Sequence, residues 1–244
     1  MKVIAIIQAR MSSTRLPGKV LMKFGNETIL DLIIKRLSFS KQINEIVVAT
    51  TFNKLDDIIV KHCESRNIKF TRGSETNVLE RFFEAAKSLE ADIIVRVTSD
   101  DPFKDPKIID NCVELLINNN LDFCSNNNPP SFPEGLDVEV FSMKSLEIAY
   151  KDATSDFDKE HVTQFFYKNP TIFKQMNLSY FEDLSYIRLT LDTNEDFEFL
   201  SLIYTKLQDE TSFLSFEKIV DFLKSYPEYL KINSFVQRSQ MYKK

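Results

Sequence analysis

Short apolar runs alternating with helical patterns constrain the fold of this chain more than any other feature. The run Val3–Gln8 is β-branched and apolar, as expected for a strand buried on both faces of a sheet. The same reading predicts strands at 45–51, 68–70 and 92–98, and helices at 27–37, 55–66, 78–89 and 106–118. Asn26 is the predicted N-cap of the first helix. Such alternation predicts right-handed βαβ crossovers, and hence an α/β fold with a mostly parallel sheet and helices on both faces.

The pattern changes after residue 118. Residues 126–130 are rich in turn formers, and 136–141 alternate like a half-exposed strand. We therefore predict an arm or insertion at about 130–180. A core strand returns at 187–191 and is followed by helices, and the tail at 237–244 is predicted to be loosely held.

Length and composition place the chain among ordinary globular proteins. Its 244 residues fit one domain, 1–244. A content of 43% hydrophobic and 27% charged residues excludes the disordered and fibrous classes of protein. The longest apolar runs are far shorter than the roughly 18 residues of a membrane span. The first residues lack the pattern of a secretion signal, so we expect a cytoplasmic protein.

The net charge limits the classes of binding partner, and the cysteine content predicts the state of the thiols. A net charge of -5 argues against binding to nucleic acid or a membrane surface, so an anionic ligand would need locally concentrated cations or a metal. The three cysteines are odd in number and lack CxxC spacing, which predicts buried free thiols.

Glycine is scarce, with only 4 in the chain. Each one is therefore expected to mark a backbone with positive φ or a close approach, in a loop. The four are Gly18, Gly25, Gly73 and Gly135.

The loop at residues 8–19, QARMSSTRLPGK, is the first segment that carries chemistry. It follows a predicted strand, and ligands of open α/β sheets bind at the carboxyl ends of strands. Arg10, Arg15 and Lys19, with small hydroxyl residues and a Pro-Gly turn, suit the binding of a polyphosphate. The glycine spacing fits neither a Walker A loop nor a dinucleotide-binding motif.

Acidic residues follow two other predicted strands. Asp100 and Asp101 come after 92–98, and Asp192 comes after 187–191. Mg²⁺ binds one or two carboxylates together with phosphate oxygens. The same residues also suit helix caps, with Asp192 or Asn194 capping a helix that starts near residue 195, and the residues alone do not choose between the two roles.

Six segments, in order along the chain, resemble those of the CMP-sugar synthetases, most closely the branch called spore-coat polysaccharide biosynthesis protein F, the SpsF-like cytidylyltransferases. They are QARMSSTRLPGK, RGSETNVLERF, RVTSDDPFKDPKIID, EGLDVEVFS, EHVTQFFYKNP and RLTLDTNEDFE. The resemblance implies the nucleotide-diphospho-sugar transferase fold, which is Rossmann-like, and CTP with Mg²⁺. It also implies a homodimer formed through the 130–180 arm.

The resemblance also implies roles for individual residues. The metal ligands would be Asp100 and Asp192, with Asp101 left open. The catalytic residues would be Asp100, Lys19, Arg10 and Arg15. Contacts to CTP are expected from Ala9, Arg10, Met11, Ser12, Arg15, Lys19, Arg72, Gly73, Ser74 and Asp100, and contacts to the acceptor from Asp137, Glu139, Glu160 and His161. For Arg81, a helical salt bridge and a ligand contact are equal alternatives. His161 also fits a packed structural role in an amphipathic helix with Val162, Phe165 and Phe166.

The implied reaction moves CMP from CTP to the hydroxyl of a sugar acid, either nonulosonic or Kdo-like, and releases pyrophosphate for surface polysaccharide biosynthesis. Three alternatives stay open at this point. One is a metal-dependent glycosyltransferase that uses a nucleotide-sugar, since the fold alone does not fix function. Another is a cytidylyltransferase with a phosphate or phosphonate acceptor. The third is a nucleotide-binding module without activity.

Overall fold

A computed structural model of the protein describes residues 1–207 and 214–237, so the part of the predicted tail at 238–244 lies outside the described residues. The strands are β1 Val3–Gln8, β2 Lys23–Phe24, β3 Glu27–Thr28, β4 Glu45–Thr51, β5 Phe70–Gly73, β6 Ile93–Thr98, β7 Phe123–Ser125, β8 Glu139–Ser142 and β9 Gln175–Asn177.

The main sheet of the described residues has seven strands in the order β5-β4-β1-β6-β8-β7-β9. Neighbours pair in parallel except at β8, which runs antiparallel to both β6 and β7. Strands β2 and β3 form a separate hairpin. The predicted α/β class with a mostly parallel sheet is confirmed.

Helices cover both faces of this sheet. They are α1 Ile29–Leu37, α2 Asp57–Ser65, α3 Val78–Ser88, α4 Pro106–Asn118, α5 Met143–Asp152, α6 Asp156–His161, α7 Gln164–Lys168, α8 Asn194–Leu207 and α9 Phe216–Ser225. Side chains of β1 alternate between two cores, because successive residues of a strand point to opposite faces. Ala5 and Ile7 join the core under α1, α4 and α8, whereas Ile4 and Ile6 join the core under α3 and α5.

The chain changes direction across the sheet at β1. Strands β4 and β5 lie on one side of β1 and β6 lies on the other, so the carboxyl ends of β1 and β6 form a topological switch point. Gln8 at the end of β1 is paired with Thr98 at the end of β6. The loops that follow these two strands therefore leave the sheet side by side.

Two boundaries in the first half differ from the sequence prediction. Helix α1 is capped by Thr28 in a reciprocal capping box with Asp31, and not by Asn26, because residues 27–28 pair as β3. The strand predicted at 68–70 is β5, Phe70–Gly73, so Gly73 ends a strand instead of lying in a loop.

The second half departs further from prediction. The strand predicted at 136–141 is β8, Glu139–Ser142, and it is buried and not half-exposed because it lies between β6 and β7. Residues 187–191 are not a strand. Arg188 forms an isolated bridge with Glu134, and the Leu191 N–H donates to the Asp100 carbonyl at 2.8 Å. The helix predicted through His161 and Phe166 is divided at Val162, which has a φ of 53°.

Further predictions from the sequence concern the cysteines and the glycines. Cys63, Cys112 and Cys124 are buried free thiols, as predicted. Gly18, Gly25 and Gly135 have positive φ, and a Cβ on Gly73 would lie 3.0 Å from the Arg81 side chain. Within residues 1–207 and 214–237, every helix is too short or too polar to span a bilayer.

Candidate active site

The loop after β1 is held in place by two carboxylates from other segments. Asp56, which is buried, accepts a hydrogen bond from the Met11 backbone N–H at 2.7 Å. Glu75 accepts one from the Ser12 hydroxyl at 2.9 Å. Gly18 adopts the left-handed conformation, with a φ of 74°, directly before Lys19. These contacts fix the backbone of the loop and leave its cationic side chains to face the switch point.

Lys19 lies between the two carboxylates that follow β6 and the 187–191 segment. Its Nζ is 2.8 Å from Asp100 Oδ2 and 2.9 Å from Asp192 Oδ1, and it also donates to the Leu191 carbonyl at 2.8 Å. Asp100 and Asp192 are thus brought to one position despite a separation of about ninety residues. The structure joins them through an ammonium group.

A buried guanidinium orients Asp192. Arg188 donates to Asp192 Oδ2 at 3.0 Å, to Glu134 at 2.7 Å and to both carboxylate oxygens of Asp196 at 2.9 Å. Arg15 reaches the same Asp192 Oδ2 at 2.8 Å from the solvent side. Bidentate guanidinium contacts fix both distance and orientation.

The same arrangement sets the charge of Asp100. Burial by itself would raise the pKa of this carboxyl, but the Lys19 ammonium outweighs burial and lowers the pKa to about 2. Burial and the two carboxylates act in opposite directions on Lys19, and the carboxylates prevail, so its pKa is raised. Both groups are therefore charged at neutral pH.

Asp101 turns away from this cluster. It accepts hydrogen bonds from the Thr98 hydroxyl and from Lys104, each at 2.7 Å, and it is buried. Burial raises the pKa of Asp101, and nearby Asp100 acts in the same direction. Lys104 also donates to the Asp137 carbonyl. Asp101 thus forms a separate ion pair beside the Asp100–Asp192 position.

A third buried charge pair lies on β6 and β8. Arg96 donates to Glu139 Oε2, and the other oxygen of Glu139 accepts from the Thr163 hydroxyl at 2.9 Å and from the Tyr167 hydroxyl at 3.0 Å. Burial, followed by the charge of Glu139, raises the pKa of Tyr167 well above its ordinary value. Helix α7 is thereby tied to the edge of the site.

Two adjoining clefts open at the switch point. The first, here called the β1 cleft, is lined by Gln8, Ala9, Arg10, Ser13, Thr14, Arg15, Lys19, Val78, Arg81, Arg96, Thr98, Ser99, Asp100, Glu160, His161 and Asp192. The second, the β8 cleft, is lined by Arg15, Arg96, Thr98, Asp100, Asp101, Lys104, Asn127, Glu134, Gly135, Asp137, Glu139, Thr190 and Asp192. Asp100 and Asp192 belong to both, so the position between them faces two chambers.

Several residues expected to contact CTP meet in the β1 cleft, and several do not. Five of them line it: Ala9, Arg10, Arg15, Lys19 and Asp100. Neither cleft is lined by Met11, Ser12, Arg72, Gly73 or Ser74. Arg72 instead donates to the carbonyls of Thr51 and Asn53 and pairs with Asp57 at 2.8 Å. These contacts hold β5 to the segment after β4.

The four residues expected at the acceptor are divided between the clefts. Asp137 and Glu139 line the β8 cleft, whereas Glu160 and His161 line the β1 cleft opposite the loop. The His161 ring packs edge-on against Phe157, with centroids 4.5 Å apart, and burial lowers the pKa of the imidazole. A neutral, packed ring is consistent with the structural alternative for His161.

Two further arginines lie at the site, and the sequence assigned no role to Arg96 and no single role to Arg81. Arg96 lines both clefts. Arg81 is buried in the β1 cleft, donates to the Ser74 carbonyl and has a pKa lowered to about 10 by burial, followed by the nearby charge of Arg10. The helical salt bridge considered for Arg81 is replaced by this backbone contact. The available signal was their position in two of the segments that carry the family resemblance, RGSETNVLERF and RVTSDDPFKDPKIID.

The cluster suits a divalent cation with an open coordination sphere. No group of three or more His, Cys, Asp or Glu side chains converges in the described part of the chain, so a cage made of protein side chains is absent there. Asp100 and Asp192 do offer two hard oxygens to one cation position. Mg²⁺ commonly binds one or two carboxylates and completes its shell with phosphate and water oxygens, so these residues fit it.

Similar sequences span nearly the whole chain. An uncharacterized protein of Methanocaldococcus jannaschii is 42% identical over 98% of this chain and 97% of its own length. The spore coat polysaccharide biosynthesis protein SpsF of Bacillus subtilis is 32% identical over 93% of this chain and 95% of its own.

Solved structures of other proteins also resemble this chain. A cytidylyltransferase from Leptospira borgpetersenii superimposes with a TM-score of 0.90 at 34% identity, covering 98% of this chain and 99% of its own. A CMP:2-keto-3-deoxy-manno-octonic acid synthetase complexed with CTP has a TM-score of 0.65 at 16% identity, covers 85% of this chain and 100% of its own, and shares the fold. The cytidylyltransferase family model matches residues 4–239. The chain belongs to the cytidylyltransferase family, enzymes that transfer nucleotidyl groups from CTP.

Proposed function

We propose that this protein transfers CMP from CTP to a hydroxyl group of a sugar acid, either nonulosonic or Kdo-like, and releases pyrophosphate. The observation that carries the proposal is the convergence of Asp100 and Asp192 at the wall shared by two clefts, one of them lined by Arg10, Arg15 and Lys19. Such an arrangement lets a triphosphate and an acceptor approach one point from opposite sides. Family membership favours this chemistry over glycosyl transfer and over a module without activity.

In this proposal the β1 cleft holds the triphosphate. Arg10 and Arg15 bind the β- and γ-phosphates and stabilise the negative charge of the departing pyrophosphate, with Lys19 as a third cation. Guanidinium groups suit this role because their planar donors match two phosphate oxygens. The Ala9 backbone and the Ser13 and Thr14 side chains line the same cleft.

The β8 cleft holds the acceptor in this proposal. Asp137 and Asn127 provide acceptors and donors for sugar hydroxyls, while the paired Arg96 and Glu139 form a rigid wall. Attack on the α-phosphate in line with the leaving pyrophosphate requires the acceptor and the triphosphate to lie on opposite sides of that phosphate. The two clefts meet at Asp100 and Asp192, where such a phosphate would be placed.

Asp100 and Asp192 are the proposed ligands of Mg²⁺. When bound, the ion supplies charge stabilisation at phosphate oxygens. Arg188 keeps Asp192 oriented, and the low pKa of Asp100 keeps that carboxylate charged. Homodimerisation through residues 130–180, a cytoplasmic location and a role in surface polysaccharide biosynthesis belong to the same proposal. The name of the Bacillus subtilis relative supports the last of these.

The test uses Asp100→Asn, which removes one negative charge and keeps the size of the side chain. We expect its turnover to fall at least about a hundredfold, the scale of losing one charge-stabilising element. Pyrophosphate release would be measured with CTP, Mg²⁺ and a panel of sugar acids and phosphate esters, and product masses would be recorded. Release of free nucleotide from a nucleotide-sugar would indicate glycosyl transfer instead. Wild-type rates in the variant would contradict the role of Asp100.

A further inference from the structure

All the hydrogen-bond donors of Lys19 are already used inside the site. An ammonium group has three N–H donors. Lys19 gives one to Asp100, one to Asp192 and one to the Leu191 carbonyl, at 2.8 to 2.9 Å. Its side chain is only 11% exposed. In this state Lys19 has no donor to offer to a phosphate.

The position of Lys19 also conflicts with metal binding. The oxygens that it contacts, Asp100 Oδ2 and Asp192 Oδ1, are those that face a cation placed between the two carboxylates. A divalent ion and an ammonium group repel each other strongly at such distances. Metal can therefore bind between these carboxylates only after the Lys19 ammonium leaves.

A triphosphate provides the place for Lys19 to go. Lys19 lines the β1 cleft together with Arg10 and Arg15, and its flexible four-carbon stem can turn the ammonium towards that cleft while the backbone stays fixed. We propose that Lys19 is an internal cation that occupies the metal position in the nucleotide-free protein, so that a divalent ion and the triphosphate bind together. This inference rests on the proposed function, because it concerns the same site.

The rest of the cluster does not need to move in this exchange. Arg188 is buried and holds Asp192 Oδ2, whereas Lys19 contacts the other oxygen, Oδ1. Asp192 therefore stays oriented when Lys19 leaves. Arg15, which shares Oδ2, is 46% exposed and can turn to the triphosphate at little cost. The exchange replaces one cation by another between two fixed carboxylates.

The test measures Mn²⁺ binding to the full chain without nucleotide, by calorimetry and by loss of the free Mn²⁺ electron paramagnetic resonance signal. Lys19→Met removes the internal cation and keeps an unbranched side chain. We expect it to bind Mn²⁺ at least about tenfold more tightly than the wild type, because the ion no longer displaces charge-assisted hydrogen bonds. Lys23→Met is the matched control. It removes the same charge from an exposed neighbouring position, and its affinity should stay within about twofold of the wild type because exposed charges are screened.

The possible outcomes separate the inference from the proposed function. Equal Mn²⁺ affinity of Lys19→Met and the wild type would overturn the inference and leave the proposed function standing. Failure of every protein to bind Mn²⁺ even with CTP would overturn both. Circular dichroism shows whether each variant folds. If Lys19→Met does not fold, Lys19→Gln replaces it, because glutamine keeps a polar side chain of similar length. The same tenfold gain is expected of it, and its absence would also overturn the inference.

Discussion

The two clefts share Asp100 and Asp192 but hold their cations in different ways. Within residues 1–207 and 214–237, Arg10 in the β1 cleft makes no hydrogen bond or ion pair, and Arg15 is 46% exposed. In the β8 cleft, Arg96 pairs with Glu139 and Lys104 pairs with Asp101, and all four side chains are at most 11% exposed. Arg10 and Arg15 can therefore turn to a ligand, whereas Arg96, which lines both clefts, and Lys104 are committed to buried carboxylates when the chain folds.

This difference has an energetic basis. A buried charge is tolerated only when it is paired and hydrogen-bonded, so removing one partner leaves the other uncompensated. An exposed arginine keeps its hydration and contributes little to stability. Removing one partner of the Arg96–Glu139 pair or of the Lys104–Asp101 pair should therefore reduce the free energy of unfolding, and removing Arg10 should act on ligand binding.

Glu139→Ala gives the largest expected loss of stability. It leaves the Arg96 guanidinium without this carboxylate and removes one acceptor from each of the Thr163 and Tyr167 hydroxyls. We expect the free energy of unfolding to fall by about 3–5 kcal/mol, as for breaking one side of a buried ion pair. Urea unfolding followed by circular dichroism measures the change.

Arg10→Ala is the matched control from the β1 cleft. Its free energy of unfolding should stay within about 0.5 kcal/mol of the wild type, while the KM for CTP rises. Similar destabilisation by the two substitutions would remove the distinction between the clefts.

Gly135→Ala tests the backbone of the β8 cleft and has the next largest effect. Gly135 has a φ of +96°, and an added Cβ would lie 2.6 Å from the Leu189 carbonyl carbon. We expect a loss of about 2–4 kcal/mol in the free energy of unfolding from steric overlap and strain. Gly25→Ala is the control, since its Cβ would lie 3.7 Å from Tyr204, and it should cost about 1–2 kcal/mol. A Gly135 variant as stable as the Gly25 variant would contradict the packing seen here.

The sequence predicted the β1 side of the molecule better than the β8 side. Continuous apolar runs such as Val3–Gln8, alternating with helices, are typical of parallel strands buried on both faces, and this pattern identified the parallel half of the sheet. The β8 strand has only four residues and reverses direction, and its burial comes from neighbours distant in sequence. Local periodicity contains no information about such neighbours.

The candidate site shows the same division. The spacing of Arg10, Arg15 and Lys19 in one loop could be found in the sequence because they are local. Their relation to Asp192 depends on Arg188 and on the segment 187–191, which forms an isolated bridge and no strand. Arg81 and Arg96 reach the clefts from α3 and β6, and only the packing of these elements directs them there.

The smallest expected effect is on the pH dependence of the unfolding free energy. Burial would raise the pKa of Asp196, which is joined to Glu134 of the β8 cleft through Arg188, but hydrogen bonds from Arg188 outweigh burial and lower it from 3.8. A carboxyl with a lowered folded-state pKa contributes stability above its unfolded pKa and loses it as the pH falls through the folded value. Asp196→Asn should therefore remove up to about 1.4 kcal/mol per pH unit from the acid slope of the unfolding free energy below about pH 4.

Urea unfolding from about pH 6 to about pH 3 measures this slope, with Asp152→Asn at an exposed position as the control. An unchanged slope in Asp196→Asn would show that the charges around the β8 cleft are no more committed to the fold than those of the β1 cleft.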